Sequence, residues 1–166
     1  MPVEPYLTLA HHAGWANDRL YEACAELSDA ELRRDRKAFF RSLHGTLNHI
    51  LVGDRVWWSR VEGTAHGITR QDTILYDDFR ALREARAAED ARIVRLVTGM
   101  PPARLDGTLD FVTLDGDADS CPMPVALVNM FNHATHHRGQ CHQMLGEAGL
   151  DPPPLDIYDY IEAARA

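Results

Sequence analysis

Pro124-Val125-Ala126-Leu127-Val128-Asn129-Met130-Phe131-Asn132-His133-Ala134-Thr135-His136-His137-Arg138-Gly139-Gln140-Cys141-His142-Gln143-Met144-Leu145-Gly146-Glu147-Ala148 returns an apolar residue every three or four positions. That is the period of a helix with one buried face. Gly149 and the Pro152-Pro153-Pro154 run stop it. Three other stretches share the period. From Pro5 to Leu27, Tyr6, Leu9, Ala13, Leu20, Cys24 and Leu27 fall on one side, with Ser28-Asp29 as the stop. From Phe40 to Val61, Leu43, Leu47, Ile50, Trp57 and Val61 align before Gly63. From Thr73 to Thr98, Leu75, Phe79, Leu82, Ile93 and Leu96 stand among charges before Gly99 and Pro101-Pro102. The pattern predicts an all-α four-helix bundle filling residues 1–166 as a single domain, with a long crossover between helices 3 and 4. Inside that crossover Leu105 to Leu114 reads as strand and Asp115-Gly116 as a turn, so a hairpin or an extended connection is expected.

The whole chain has 166 residues, 45% apolar and 25% charged, enough to bury one core without staples. Seventeen Lys and Arg against 25 Asp and Glu leave a net charge of −8. That argues against nucleic acid, which needs a basic face to displace counterions, and against anionic membranes. No apolar run approaches the roughly 20 residues that span a bilayer. The start, Met1-Pro2-Val3-Glu4-Pro5, lacks the basic and apolar parts of a secretory signal. Three cysteines (Cys24, Cys121, Cys141) without a CxxC pair suit a reducing cytoplasm.

Nine histidines are the unusual count. His133 and His137 stand one helical turn apart, so both imidazoles can reach one ion. His137 falls inside the apolar arc of its helix and His133 at the edge of that arc, whereas His136 and His142 point away. A lone histidine on such a face reads as a buried neutral ring; two stacked there open the ligand reading. A third ligand must come from elsewhere, and His11, His12, His44, His49 and His66 are the candidates. Spacing favours His49, on the flank of its helix beside the small Thr46 and Gly53. His44 and His11 read as solvent-facing, His66 as a loop residue, and His12 as a neighbour that could seal the site as a fourth ligand. Three neutral imidazoles with an open position make a reactive rather than a closed site. No HExxH motif is present to supply a built-in base, and no ExxH pairing of the di-iron kind.

Asn17, Asp54 and Arg138 also lie near the middle of apolar arcs. A charge there must be paired, because leaving it alone costs several kcal/mol. The faces predict that Asp54 and Arg138 meet, directly or through Asn17, with a register lock between helices as the plainer role. Cys141 reads as a small core residue and Cys121 as a loop thiol. Met130, Met144 and Trp57 are expected to line an apolar pocket. Trp57 and Trp58 cannot both face one core line, so Trp58, or Trp15 on helix 1, is expected either to cover a partner subunit or to lie against the crossover.

Leu47-Asn48-His49-Ile50-Leu51 with Asp54-Arg55, and Asn132-His133-Ala134-Thr135-His136-His137-Arg138-Gly139-Gln140, resemble the DinB family of DNA-damage-inducible proteins and the wider DinB/YfiT-like metalloenzymes. The likeness runs from Trp15-Ala16-Asn17 to the Gly149–Asp156 region; His12-Ala13 stand where a Tyr-Asn pair is expected. It implies a bundle, often a homodimer, holding a divalent metal on His49, His133 and His137. It also implies a metal-dependent thiol S-transferase acting on small electrophiles with a low-molecular-weight thiol. Imidazole donors suit Zn²⁺ or Ni²⁺, with Fe or Mn also accommodated. A thiol on such an ion loses its proton and becomes the nucleophile; water there would give a hydrolase instead. A bundle that binds metal or ligand without turnover is the third reading, and a sealed site would mark it.

Overall fold

The computed structural model describes residues 2–165. Its elements are α1 (Glu4–Cys24), α2 (Asp29–Arg33), α3 (Leu43–Glu62), α4 (Phe79–Thr98), α5 (Pro102–Leu105), β1 (Thr108–Val112), β2 (Ala118–Pro122), α6 (Met123–Glu147) and α7 (Ile157–Ala163). The chain is mostly helical, with one antiparallel hairpin in the α4–α6 connection. Thr108 pairs with Pro122 and Val112 with Ala118, and Gly116 turns the hairpin at φ 95°. Of the two forms expected for the crossover, the hairpin is the one present.

Side-chain caps set the helix limits. Ser42 Oγ accepts the Gly45 N–H at 3.1 Å and so starts α3, leaving Phe40 outside it. Gly63, at φ 72°, ends the same helix. Asp78 accepts the Ala81 N–H at 2.8 Å and starts α4 six positions after the expected Thr73. The stretch before it is captured by Asn48, whose Oδ1 accepts the N–H groups of Leu75 at 2.9 Å and Tyr76 at 3.0 Å. The first helix stops at Cys24, and Ser28 caps the separate α2.

Helix α1 packs on α4 and α6, and α3 on α6 and α4, so the four long helices close a ring of contacts. One apolar cluster includes Tyr6, Trp58, Ile93, Leu127 and Phe131; another includes Leu20, Leu47, Leu51, Leu82 and Leu145. On α1, α3 and α4 a polar residue falls between them: Asn17, Asp54 and Arg86. Asp54 is not paired with Arg138. Its partner is Arg86, at 2.6 Å, which also meets Asp90 at 2.9 Å. Asn17 donates to Asp90 at 2.9 Å and accepts from Arg138 at 3.4 Å. The expected pair is therefore a chain, Asp54–Arg86–Asp90–Asn17–Arg138. The charged side of α4 concealed the cation that completes it.

Three further expectations change. Trp58 is 1% exposed and packs on Phe131, so it faces no partner; Trp57 lies on Phe111 of the hairpin instead. Trp15 is covered by Tyr160 of α7, with ring centroids 5.8 Å apart. Met130 and Met144 are buried in the two clusters and line no shared pocket with Trp57. Cys141 is a buried core residue as expected, and burial pushes its thiol pKa up. Among the described residues no helix is long and apolar enough to cross a membrane.

Candidate metal centre

His49 from α3 and His133 and His137 from α6 come together where these two helices pack. One ring nitrogen of each lies within 4.8 Å of those of the other two. The ring centroids are 4.5 Å apart for His133–His137 and His49–His137, and 5.0 Å for His49–His133. Among the described residues this is the one grouping of three or more His, Cys, Asp or Glu side chains with such a spacing. Gly53, one turn beyond His49, makes room for it: a Cβ there would lie 2.7 Å from Cε1 of His133.

Hydrogen bonds set which nitrogens are free. His49 donates from Nδ1 to the Gln71 carbonyl at 2.8 Å. A carbonyl can only accept, so the proton sits on Nδ1 and Nε2 presents a lone pair. His137 donates from Nδ1 to Gln140 Oε1 at 2.8 Å, and the same amide donates from Nε2 to His136 at 3.1 Å. His49 Nε2 and His133 Nε2 are 3.0 Å apart. Ligands of one tetrahedral ion, with metal–nitrogen bonds of about 2.05 Å, are separated by about 3.3 Å. The donor set fits a first-row divalent cation: neutral nitrogens, two of them oriented by outer partners.

Electrostatics agree with that. Burial pushes the His49 pKa from 6.5 down to about 4, with the Gln71 carbonyl opposing and His137 adding. Burial, then the neighbouring His137, His49 and His136, push His133 down to about 4. His137 is also lowered by burial, against its bond to Gln140. All three favour the neutral form that ligates.

The other histidines lie elsewhere. His12 is buried, donates from Nε2 to the Leu155 carbonyl at 2.8 Å, and does not group with the trio, so it is not placed as a fourth ligand. His44 is 3% exposed rather than solvent-facing, because its Nε2 donates to the Asp77 carbonyl at 3.0 Å. His66 accepts the Ile68 N–H in its loop, and His11 and His136 are exposed. Sequence reasoning missed the residues that orient the trio. Gln71 acts through its carbonyl, which no side-chain pattern reveals; Asn48 holds the connection that brings it there. Gln140 had a visible signal, three residues after His137 and able to reach back along the helix.

A cleft of about 400 Å³ opens beside His49 and His133, with Val52, Val56, Trp57, Phe111 and Leu114 as its apolar lining and Arg60, Gln71, Thr113, Asp115 and Asp119 as its polar one. Arg60 sits over the rings of both Trp57 and Phe111 and donates to the Val112 carbonyl at 2.9 Å. The hairpin thus forms one wall and α3 the other.

The DinB family profile matches residues 1–166, the full length of the chain. The chain belongs to the DinB family. This DinB-family chain is 23% identical to Protein DinB of Bacillus subtilis (strain 168) over 155 residues, 89% of this chain and 88% of that one. It is also similar to the crystal structure of a DinB-like protein from Bacillus cereus ATCC 10987. There the TM-score is 0.71 at 20% identity, over 91% of this chain and 95% of the other. The shared fold places the DinB-family chain among proteins built on the same helical frame.

Proposed function

We propose that this DinB-family protein binds one divalent metal ion on His49, His133 and His137, and that the ion serves a metal-dependent transferase acting through a low-molecular-weight thiol. The observation that carries the metal reading is the pair of Nε2 atoms 3.0 Å apart, one of them a lone pair by its hydrogen bonding. When bound, such an ion supplies Lewis acidity and draws the proton from a thiol or water that reaches it. Imidazole donors suit several first-row ions, and we take Zn²⁺ or Ni²⁺ as the ion held here.

The transferase reading over a sealed, non-catalytic site is supported by the cleft. Polar groups (Arg60, Gln71, Thr113, Asp115, Asp119) line it beside two of the three ligands, and His12 is engaged elsewhere. The cleft's volume of about 400 Å³ lies in the range of small-molecule sites. The chain's own part is to hold three neutral imidazoles, keep the protons of His49 and His137 on their outer nitrogens, and bound the cleft with the hairpin. We read the four long helices as a bundle in one domain. We also take the protein to be a cytoplasmic homodimer with no nucleic-acid or membrane partner.

The test is elemental analysis of untagged protein purified without added metal, beside His49→Ala and His137→Ala. Near one equivalent of metal in the wild type, lost in both variants while helical circular dichroism persists, is expected. Thiols are then screened against small electrophiles with and without a chelator. Metal retained in both variants overturns the site; metal lost without chelator-sensitive turnover overturns the transferase.

A further inference from the structure

His49 and His137 share an aromatic neighbour that comes from neither of their helices. Phe40, in the connection between α2 and α3, stacks on His49 with ring centroids 3.7 Å apart and planes 17° from parallel. It meets His137 edge-on at 5.6 Å. The cleft, by contrast, reaches the trio along His49 and His133, and Phe40 does not line it. An apolar ring therefore covers a face of His49 and an edge of His137, while the cleft opens beside His49 and His133.

The backbone that delivers this ring is strained. Lys37 and Arg41 have φ of 57° and 66°, a left-handed conformation that side chains other than those of Gly, Asn and Asp rarely adopt. The Ser42 N–H donates to the Phe40 carbonyl at 2.8 Å, closing a three-residue turn on Arg41 whose positive φ is the uncommon hand. That carbonyl rests against Gly45, where a Cβ would lie 2.2 Å from the oxygen. Core packing does not account for the arrangement. Phe40 belongs to none of the three apolar clusters, and Phe39 beside it is 84% exposed. Strain of this kind persists where the surroundings over-determine it, and it gathers at functional sites.

A cation held by three imidazoles fills its remaining positions with whatever donors reach it, and a phenyl ring offers none. An apolar shell also sets solvent access and the local dielectric. We propose that Phe40 is a positioning residue of the metal site. Its ring fixes the faces of His49 and His137 and bars solvent on their side, leaving a bound ion a single exchangeable position, toward the cleft. This rests on the metal reading above. It adds to it that the substrate contributes one donor atom, from the hairpin side alone.

The experiment loads metal-free wild type, Phe40→Ala, Phe40→Tyr and Gly45→Ala with Co²⁺ and records visible spectra, with circular dichroism as the folding control. Four-coordinate cobalt absorbs several-fold more strongly than five- or six-coordinate cobalt. Strong bands are expected for wild type and Phe40→Tyr. Several-fold weaker bands at retained cobalt stoichiometry are expected for Phe40→Ala. Gly45→Ala should weaken them too, since it displaces the Phe40 backbone and leaves the ring chemistry intact. Strong, unaltered bands in both Phe40→Ala and Gly45→Ala overturn this inference while leaving the metal site standing. Wild type that takes up no cobalt overturns the metal reading and this inference with it.

Discussion

Replacing Gly53 by Ala separates the site from the fold that carries it. The new Cβ would lie 2.7 Å from Cε1 and 3.1 Å from Nδ1 of His133, where ordinary contact begins at 3.4 Å. The ring must therefore retreat by about 0.7 Å, several times the roughly 0.2 Å tolerance of a metal–ligand distance. Disturbing the shell that orients a ligand costs about 10–100-fold in affinity. That is about 1.4–2.7 kcal/mol of binding. Without metal the balance reverses. His133 is half-buried beside an open cleft and can turn away, while Ala in mid-helix is better than Gly by up to about 1 kcal/mol. For a chain of this size that is about 2–4 °C in Tm. Calorimetry of both proteins, with chelator and with excess Zn²⁺, reads the two effects apart, and competition against a chromophoric chelator gives the affinities. The metal-free variant should melt at or slightly above wild type, and its gain on adding Zn²⁺ should be smaller. Equal Zn²⁺-induced shifts in the two proteins would refute the reasoning that Gly53 sets the position of a ligating His133.

Gln140→Leu removes the acceptor for His137 Nδ1 at 2.8 Å, and metal affinity should fall about 10–100-fold by chelator competition with helical content unchanged. Undiminished affinity would show that this amide does not orient the ligand. Arg86→Met leaves Asp54 and Asp90 without their buried cation and should cost about 3–5 kcal/mol in urea unfolding. A loss under about 1 kcal/mol would mean that the polar layer rearranges freely around the gap. The pH dependence of metal-free stability has a defined sign. His49 binds its proton near pH 4 when folded and near 6.5 when unfolded, so its contribution is lost as pH falls from about 6.5 to about 4. Burial pushes Asp54 the other way, to about 6, but that group is common to wild type and His49→Gln and cancels in their difference. Wild type should therefore lose more Tm than His49→Gln across this window, and parallel Tm curves would contradict the lowered pKa.

The helical period made the four long elements legible, because burying one face of each helix forces a 3.6-residue repeat on the sequence. The same repeat put His49, His133 and His137 on packing faces, and the structure brings their ring nitrogens together. Several of its blind spots are contacts made across long sequence separations. Arg86 sits on α4 among Arg83, Glu84, Glu89 and Asp90, so its burial is invisible until α3 supplies Asp54, 32 residues earlier in the chain. His44 read as solvent-facing because the carbonyl that buries it belongs to Asp77. Backbone conformation is equally hidden: Lys37 and Arg41 are unremarkable letters, yet their left-handed φ values place Phe40 on His49.

Those hidden contacts divide the labour at the site. The two helices set where the three imidazoles stand, since their Cα positions follow from α3–α6 packing. The connections set how two of them are held. Residues 71–76, pinned by Asn48, fix the tautomer of His49 through the Gln71 carbonyl. The 37–41 turn, braced by Gly45, covers its ring and sets Phe40 edge-on against His137. His133 has neither kind of support and is also the ligand that borders the cleft. An imidazole held only by Gly53 and its neighbours can shift when a substrate displaces solvent, while the other two cannot. Crystals of the metal-loaded protein with and without a thiol should therefore show movement at His133 and stillness at His49 and His137. Equal displacement of all three would mean that the outer hydrogen bonds do not hold the site.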